Sequence, residues 1–134
     1  MATTFRLEIV TPDGMVFEGD VQHVRAPGVE GSFGVLPNHT PFITPLAVGK
    51  IEVRNSEGKE LLFATSGGLA DVHSAGFTLI AETAELAEKI DLERAKAAKE
   101  RAERRIVDAG QETDLIRARA AMMRASNRLT IGQR

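Results

Sequence analysis

Apolar and polar residues alternate one by one in the first part of the chain. Phe5, Leu7 and Ile9 can face one side of an extended segment, while Arg6 and Glu8 face the other. Similar runs return further along and are separated by short turn sequences, namely Pro12-Asp13-Gly14, Asn55-Ser56-Glu57-Gly58, Gly67-Gly68 and Ser74-Ala75-Gly76. Short strands at this spacing, with no helix-length segment between them, predict an all-β sandwich or barrel over residues 1–84.

The remaining residues, 85–134, follow a helical pattern and contain neither proline nor an aromatic residue. From about Asp91 to Ala109 the residues are mostly strong helix formers, with Asp91 as a candidate N-cap and Gly110 as a candidate C-terminal cap. A second helix is predicted from Thr113 to about Leu129. Because the connecting loop is short, we expect the two helices to fold back as an antiparallel hairpin.

Each predicted helix carries one narrow apolar seam with steps of three and four residues. The seam residues are Ala95, Ala98, Ala102 and Ile106 in the first helix and Leu115, Ala118, Met122, Ala125 and Leu129 in the second. These side chains are mostly methyl groups, and burying each CH₂ contributes only ~0.8 kcal/mol. We therefore expect a hairpin of marginal stability that is able to leave its docking site.

Arginines form a second repeated pattern on the helices. The two sets step by seven and then four residues and consist of Arg94, Arg101 and Arg105 in the first helix and Arg117, Arg124 and Arg128 in the second. In a hairpin these faces could hold a polyanion, because guanidinium groups match phosphate oxygens. The alternative is that the arginines are solvated and paired with acids such as Glu93 and Glu100.

Composition and charge narrow the function classes. Residues 1–84 hold five Lys/Arg and ten Asp/Glu, a net charge of −5, whereas residues 85–134 hold twelve and nine, a net charge of +3. The absence of cysteine excludes disulfides, thiol catalysis and cysteine-ligated metals. No apolar run approaches ~18 residues, so neither a signal peptide nor a spanning helix is expected.

The segment Gly31–Pro41 is the most unusual part of the predicted β-domain. Its two closely spaced prolines restrict the backbone, and Asn38 tolerates the left-handed conformation. We expect a stiff, exposed loop that presents His39. His23 and His73 show no metal-ligand spacing with it, so His39 is interpreted as a hydrogen-bonded structural or interface residue and not as a catalytic or metal site.

Taken together, these motifs resemble the epsilon subunit of bacterial F-type (rotary) ATP synthases over the whole chain. The matching pieces are Val10-Thr11-Pro12-Asp13-Gly14, Gly34-Val35-Leu36-Pro37-x-His39-x-Pro41, Gly67-Gly68, Ile90-Asp91-x-x-Arg94-Ala95 and Asn127-Arg128-Leu129. One departure is Asn38, where the family usually has glycine. Asparagine tolerates the same backbone angles, so the resemblance holds there.

The resemblance implies a ten-stranded β-sandwich followed by two helices. It implies a non-catalytic subunit of the central stalk that binds the gamma subunit and the ring of c-subunits and helps couple proton flow to ATP synthesis. The helices would extend towards the alpha/beta catalytic head and block ATP hydrolysis. By similarity, Glu30, Gly31 and Ser32 lie near the c-ring and His39 near gamma. The implied location is the cytoplasmic face of the inner membrane, with membrane contact only through the complex.

In some members of this family, ATP held by the folded hairpin favours the non-inhibitory form. Ile90, Asp91, Arg94 and Ala95 match the motif Ile/Leu-Asp-x-x-Arg-Ala of those members. The accompanying positions are matched by Glu85, Arg101, Arg117, Arg124 and Arg128. The resemblance therefore implies ATP as a regulatory ligand, with no required cofactor and no metal.

Other functions compete with this one. A free-standing ATP-sensing module would use the same arginines without a rotary partner. A nucleic-acid binder is disfavoured, because the hairpin lacks aromatic residues for stacking and holds nine acidic residues. A hydrolytic enzyme is disfavoured because no nucleophile–base, paired-carboxylate or metal-ligand pattern occurs.

Overall fold

A computed structural model describes residues 3–108 and 112–133, with the side chains of 108 and 112–114 excluded. The chain divides into two compact units, Met1–Leu86 and Ala87–Arg134. We call them the β-domain and the helical unit. The first unit extends to Leu86 because Ala84–Leu86 forms a strand that pairs with the sheet, next to the boundary predicted at residue 84.

The described part of the β-domain contains nine strands. They are β1 (Phe5–Thr11), β2 (Gly14–Gly28), β3 (Gly31–Val35), β4 (Phe42–Leu46), β5 (Gly49–Asn55), β6 (Glu60–Thr65), β7 (Gly68–His73), β8 (Gly76–Ala81) and β9 (Ala84–Leu86). The resemblance implied ten. β2 runs unbroken for 15 residues and pairs with β1 through its first part and with β3 and β5 through its second.

The strands follow the order β1-β8-β7-β4-β2-β5-β6-β9, with β3 added beside β2. Because β1 also pairs with β2, a closed ring forms from five strands, β1, β8, β7, β4 and β2. The sheet continues from β2 through β5, β6 and β9. Aromatic rings join the two halves: Phe33 of β3 lies 6.3 Å from Phe77 of β8, and Phe17 of β2 lies 6.1 Å from Phe63 of β6, between ring centroids. The core therefore lies between two sheet layers.

The alternation seen in the sequence decides which side chains enter this core. Leu7 and Ile9 are fully buried, whereas Arg6 is exposed, as predicted. Parallel pairing of β1 with β8 places Leu7 beside Phe77 and Ile9 beside Leu79, and those two side chains are buried as well. At ~25 cal/mol per Å² of apolar surface, this burial is the main favourable term that holds the β-domain together.

Positive φ angles occur where the sequence predicted turns. Asn38 has φ +65°, which confirms the left-handed conformation expected for the Gly31–Pro41 segment. Gly68 has φ +142°, and a Cβ at this position would lie only 2.1 Å from the carbonyl oxygen of Ile80. The break between β6 and β7 therefore requires glycine both for its backbone angle and for the close approach of β8.

The helical unit contains a short 3₁₀ turn, Ala87–Lys89, followed by α1 (Leu92–Asp108) and α2 (Glu112–Gly132). α1 begins directly after Asp91, as predicted, while Ala109 and Gly110 lie outside the described residues. α2 continues three residues beyond the predicted end at Leu129. The extension occurs because Ile131 is buried, with 2% of its surface exposed, and adds a further apolar residue to the seam.

Candidate functional site

The helical hairpin is held together by small side chains. Ala95 and Ala102 of α1, and Ala118 and Ala125 of α2, are each at most 4% exposed. The predicted seam is therefore confirmed at these four alanines, and the other predicted seam residues are partly buried, namely Ala98, Ile106, Leu115, Met122 and Leu129. Because alanine is short, the helix axes approach closely, and the side chains that flank the seam come near one another across the hairpin.

At the end of the hairpin opposite the connecting loop, the two helices meet at a glycine. A Cβ on Gly132 of α2 would lie 2.8 Å from Leu92 Cδ2 and 3.2 Å from Ile90 Cγ2. This contact shows that the helices are antiparallel and sets their register, with the end of α2 beside the start of α1. Ile90 is itself only 8% exposed. We call Ile90, Leu92, Ile131 and Gly132 the hairpin base.

The Ile90-Asp91-x-x-Arg94-Ala95 motif is mostly structural in this hairpin. The Asp91 carboxylate oxygen Oδ1 accepts a hydrogen bond from the backbone N–H of Arg94 at 3.0 Å, which is an N-cap. Its carbonyl accepts the N–H of Ala95 at 3.0 Å. Ile90 belongs to the hairpin base, and Ala95 is buried in the seam. Asp91 and Arg94 are both exposed, and Arg94 is the member of the motif that carries a positive charge.

Six arginines share one side of the hairpin. Each stands directly before a seam residue: Arg94, Arg101 and Arg105 precede Ala95, Ala102 and Ile106, and Arg117, Arg124 and Arg128 precede Ala118, Ala125 and Leu129. Two antiparallel helices are related by a two-fold axis that is perpendicular to the plane containing both helix axes. This rotation keeps a residue on the same side of that plane, so residues that come one position before the seam in either helix all lie on one side of the hairpin. We call this side the arginine face.

The register brings the arginines to matching heights along the hairpin. With Gly132 beside Ile90 and Leu92, Arg94 lies level with Arg128, Arg101 with Arg124, and Arg105 with Arg117. Like charges at such spacing repel one another, and a bound polyanion would remove that repulsion. Guanidinium groups on both helices can donate to phosphate or carboxylate oxygens at the same time. The arginine face is therefore suited to binding a multiply charged anion.

Glu85, the remaining residue of the predicted ATP set, belongs to the other unit. It lies on β9 opposite Ala64 and is partly buried. No group of three or more metal-ligating side chains occurs within residues 3–108 and 112–133, apart from the four excluded side chains. The chemistry available on the described hairpin is anion binding by guanidinium groups.

The segments predicted to meet protein partners are exposed on the β-domain. Glu30, Gly31 and Ser32 form the tip and first strand residues of the β2–β3 hairpin, and all three are exposed. His39 is also exposed, and its Nδ1 lies 2.8 Å from the carbonyl oxygen of Thr40. Its ring packs edge-on against Phe42, with 5.2 Å between centroids. These contacts agree with the hydrogen-bonded histidine that the sequence predicted.

The sequence reasoning missed an apolar row on the outer surface of the β-domain. Cross-strand pairing aligns Met15, Val10, Ile80, Leu69 and Pro45 on neighbouring strands β2, β1, β8, β7 and β4. Met15 and Ile80 are each 50% exposed, and Leu69 is 37% exposed. We call these five residues the outer row. The sequence contains part of the signal for this row. Val10 and Ile80 are apolar residues at outward-facing positions of strands whose inward-facing residues are buried in the core.

The outer row lies beside an acidic row on the same surface. Two residues along β1, β8 and β7, and three along β2, Glu18 of β2 pairs with Glu8 of β1, Glu8 with Thr78, and Thr78 with Asp71. A surface on which exposed apolar residues adjoin carboxylates is typical of a protein interface with an apolar centre and a polar rim. Separately, no described helix is both long and apolar enough to cross a membrane.

Comparison with known proteins agrees with this architecture. Residues 4–87 match the family described as ATP synthase, Delta/Epsilon chain, beta-sandwich domain, and residues 88–133 match ATP synthase, Delta/Epsilon chain, long alpha-helix domain. The fold class predicted from the sequence, a β-sandwich followed by two helices, is thereby confirmed. Both units of the chain are covered.

Individual bacterial relatives of this chain are also ATP synthase epsilon chains. The chain is 50% identical over 105 residues to the ATP synthase epsilon chain of an Exiguobacterium species, covering 78% of this chain and 77% of that one. It is 47% identical over 112 residues to the ATP synthase epsilon chain of Desulforamulus reducens, covering 84% of each. Both relatives are aligned over more than three quarters of their length.

Solved structures are similar too. A chain in the cryo-EM structure of Euglena gracilis mitochondrial ATP synthase, OSCP/F1/c-ring in rotational state 1, matches with a TM-score of 0.81 and 26% identity, covering 95% of this chain and 80% of that one. A chain in the central stalk/c-ring structure of the Tetrahymena thermophila mitochondrial ATP synthase shares the fold at a TM-score of 0.59 and 13% identity, covering 98% of each. The chain therefore belongs to the delta/epsilon-chain family of ATP synthases, as an epsilon chain, which is a non-catalytic subunit of that complex.

Proposed function

We propose that this chain is a rotor subunit of the central stalk that couples proton flow to ATP synthesis and restrains ATP hydrolysis. The β-domain attaches to the gamma subunit and the c-ring, and the helical unit extends to the alpha/beta catalytic head. The complex holds the chain at the cytoplasmic face of the inner membrane. The membrane itself is not contacted.

The observation that carries the attachment is the outer row with its acidic neighbours. Because these side chains are already about half-buried, each one that a partner covers contributes roughly 1 kcal/mol, about half of what a fully exposed large side chain would contribute. Glu18 is paired with Arg6, so Glu8 and Asp71 are the rim carboxylates that favour a partner surface with basic residues, and the gamma subunit is the partner we assign to it. His39 and the β2–β3 tip residues Glu30, Gly31 and Ser32 keep the assignments that the resemblance implies, to gamma and to the c-ring respectively.

Truncation tests the role of the helical unit. The core enzyme without this chain is assayed for ATP hydrolysis after addition of either the full chain or a chain ending at Leu86. The endpoint Leu86 keeps β9, which pairs with β6 through Phe63, Ala64 and Thr65. We expect both forms to bind the core and only the full chain to restrain hydrolysis. Equal restraint by both forms would contradict the regulatory role.

A second function, ATP sensing by the folded hairpin, is favoured by the arginine face. ATP carries several negative charges, and its triphosphate can accept hydrogen bonds from arginines of both helices. Because ATP would bind only the folded hairpin, it would stabilise that state by a free energy that rises with the logarithm of its concentration once the concentration exceeds Kd. The residues assigned to ATP are those that the resemblance implied, with Ile90, Asp91 and Ala95 holding the hairpin shape and Arg94, Arg101, Arg117, Arg124 and Arg128 meeting phosphate. Glu85 stays a prediction from the resemblance.

Single-arginine variants test this site by calorimetric titration with ATP. Arg101→Ala and Arg124→Ala each remove a charge-assisted hydrogen bond, so we expect each to weaken binding about tenfold or more. Arg119→Ala is the matched control, because Arg119 follows seam residue Ala118 and therefore lies on the opposite side of the hairpin. Equal losses in all three variants would indicate a general charge effect. The absence of heat at millimolar ATP would exclude the site.

A further inference from the structure

The arginine face is longer than the triphosphate that is assigned to it. At a rise of about 1.5 Å per residue, the stretch from Arg94 to Arg105 covers about 16 Å along the axis of α1, and the stretch from Arg117 to Arg128 covers the same length of α2. A triphosphate has only two P–O–P links, so its phosphorus atoms span roughly the 5.4 Å of one helical turn. The phosphates of ATP can therefore cover only part of the arginine face.

The arginines are spread along the whole length of this face. In the register set by the hairpin base, the pair at the base end is Arg94 and Arg128, the pair at the loop end is Arg105 and Arg117, and Arg124 and Arg101 lie between them. Arg124 precedes Arg128, and Arg101 precedes Arg105, by four residues, which is about 6 Å along the helix axis in each case. No gap between successive arginines is much longer than one helical turn, so an extended anion could contact the face from end to end.

The loop-end part of the face carries positive charge that nearby acids do not offset. Arg101, Arg105 and Arg117 are exposed, and among the side chains that the structure describes no carboxylate forms an ion pair with them. Residues 115–133 contain four arginines and no acidic residue. Glu103 of α1 stands directly after a seam residue, so it lies on the opposite side of the hairpin. The charge at this end is therefore available to an anion from outside the chain.

A linear chain of phosphates fits these dimensions. A chain about three times as long as a triphosphate, which is about seven phosphates, spans the face and brings roughly one negative charge to each arginine. Its oxygens lie along both sides of the chain, so guanidinium groups of α1 and α2 can donate to it together. A nucleic acid fits less well, because residues 85–134 contain no aromatic side chain on which its bases could stack.

We propose that the arginine face binds linear inorganic polyphosphate, which bridges α1 and α2 and holds the hairpin folded. The polyphosphate uses the five arginines that are assigned to the phosphates of ATP, so the two ligands compete, and Arg105 serves only the longer chain. A ligand that binds across both helices stabilises the folded hairpin relative to the extended state. This inference rests on the anion site of the proposed ATP sensing and extends it to a second ligand.

Phosphate chains of different length test this proposal. The full chain is titrated calorimetrically with tripolyphosphate and with a polyphosphate of about seven phosphates, long enough to span the face, in buffer without divalent cations. We expect the longer chain to bind at least about tenfold more tightly, because it contacts more arginines, and to slow hydrogen exchange at buried Ala125 of α2. Equal affinity for the two chain lengths would overturn the proposal. So would a single-stranded oligonucleotide of the same charge that binds as tightly as the longer polyphosphate.

Arg105→Ala is the variant that separates the two ligands. We expect it to weaken binding of the longer chain about tenfold and to reduce the slope of log affinity against log salt concentration by about one. Tripolyphosphate can still bind the remaining arginines, so its affinity should change by less than about twofold. Arg104→Ala is the matched control, because Arg104 is also exposed but lines a shallow groove with Glu103 and Val107 on another side of α1. A loss in Arg104→Ala as large as that in Arg105→Ala would overturn the proposed contact.

ATP titrated in parallel distinguishes this inference from the proposed ATP sensing. Binding of ATP without tighter binding of the longer phosphate chain would overturn polyphosphate binding alone. Binding of the longer chain without any heat from millimolar ATP would overturn ATP sensing alone. No heat from either ligand would overturn both, and the expected result is that each ligand binds and lowers the apparent affinity for the other.

Discussion

Replacing Ile80 by aspartate is expected to detach the chain from the stalk while leaving the β-domain folded. Ile80 lies at the centre of the outer row, between Val10 of β1 and Leu69 of β7. Half of its side chain is already in water, so the substitution removes little buried surface from the free protein. At the centre of an interface, the loss of apolar burial and the desolvation of a carboxylate together cost about 3 kcal/mol. Binding to the gamma-containing core is therefore expected to weaken roughly a hundredfold.

The matched control for this variant lies on the helical unit. Ile116 of α2 is 59% exposed, so Ile116→Asp introduces the same charge at a similarly exposed isoleucine outside the outer row. We expect it to bind the core as the unmodified chain does. Binding is measured by titrating labelled chain with core enzyme, and circular dichroism monitors folding. Loss of binding in Ile116→Asp but not in Ile80→Asp would assign the attachment to the helical unit.

The outer row also shows what a sequence pattern leaves undetermined. Alternation correctly predicts that Leu7 and Ile9 point inward, because it depends only on positions within one strand. A row across strands depends on which strands are neighbours and on their register. Val10 meets Met15 only after the register shift between Ile9 and Val10, and Ile80 belongs to a strand far away in sequence. Periodicity carries no information about either pairing.

The helical unit was more predictable because its geometry is local. The Asp91 cap, the seam and the arginine spacing all arise from residues within a few turns of one another, and the structure has them as predicted. The sequence also indicated that arginines recur on each helix. Their placement on one side follows from the antiparallel hairpin that the sequence predicted, whereas the register, which the contact between Gly132 and Ile90 determines, sets which arginines lie level with one another. Gly132 itself gave no signal, since a glycine near a helix end is an ordinary feature.

The second large effect is expected at this glycine. In an exposed helix position, Gly→Ala stabilises a protein by roughly 1 kcal/mol. At Gly132 the opposite sign is expected, because the added methyl would lie 3.2 Å from Cγ2 and 3.3 Å from Cβ of Ile90, which is only 8% exposed, as well as 2.8 Å from Cδ2 of Leu92. Overpacking of this kind costs about 2 kcal/mol. The open state of the hairpin should therefore be populated about 30 times more in Gly132→Ala than in the unmodified chain.

Hydrogen exchange of the α2 amides measures this opening. An isolated helix of this length is marginal in water, so once α2 leaves α1 its amides exchange, and the rate at buried Ala125 follows the open population. Gln133→Ala, at the exposed neighbouring position, is the control and should leave the rate unchanged within about twofold. If hairpin opening is what allows the helices to reach the catalytic head, Gly132→Ala should also restrain ATP hydrolysis more strongly than the unmodified chain. Slower exchange at Ala125 in Gly132→Ala would mean that the hairpin base has room for a methyl group, and that the small seam alone sets the balance between folded and extended helices.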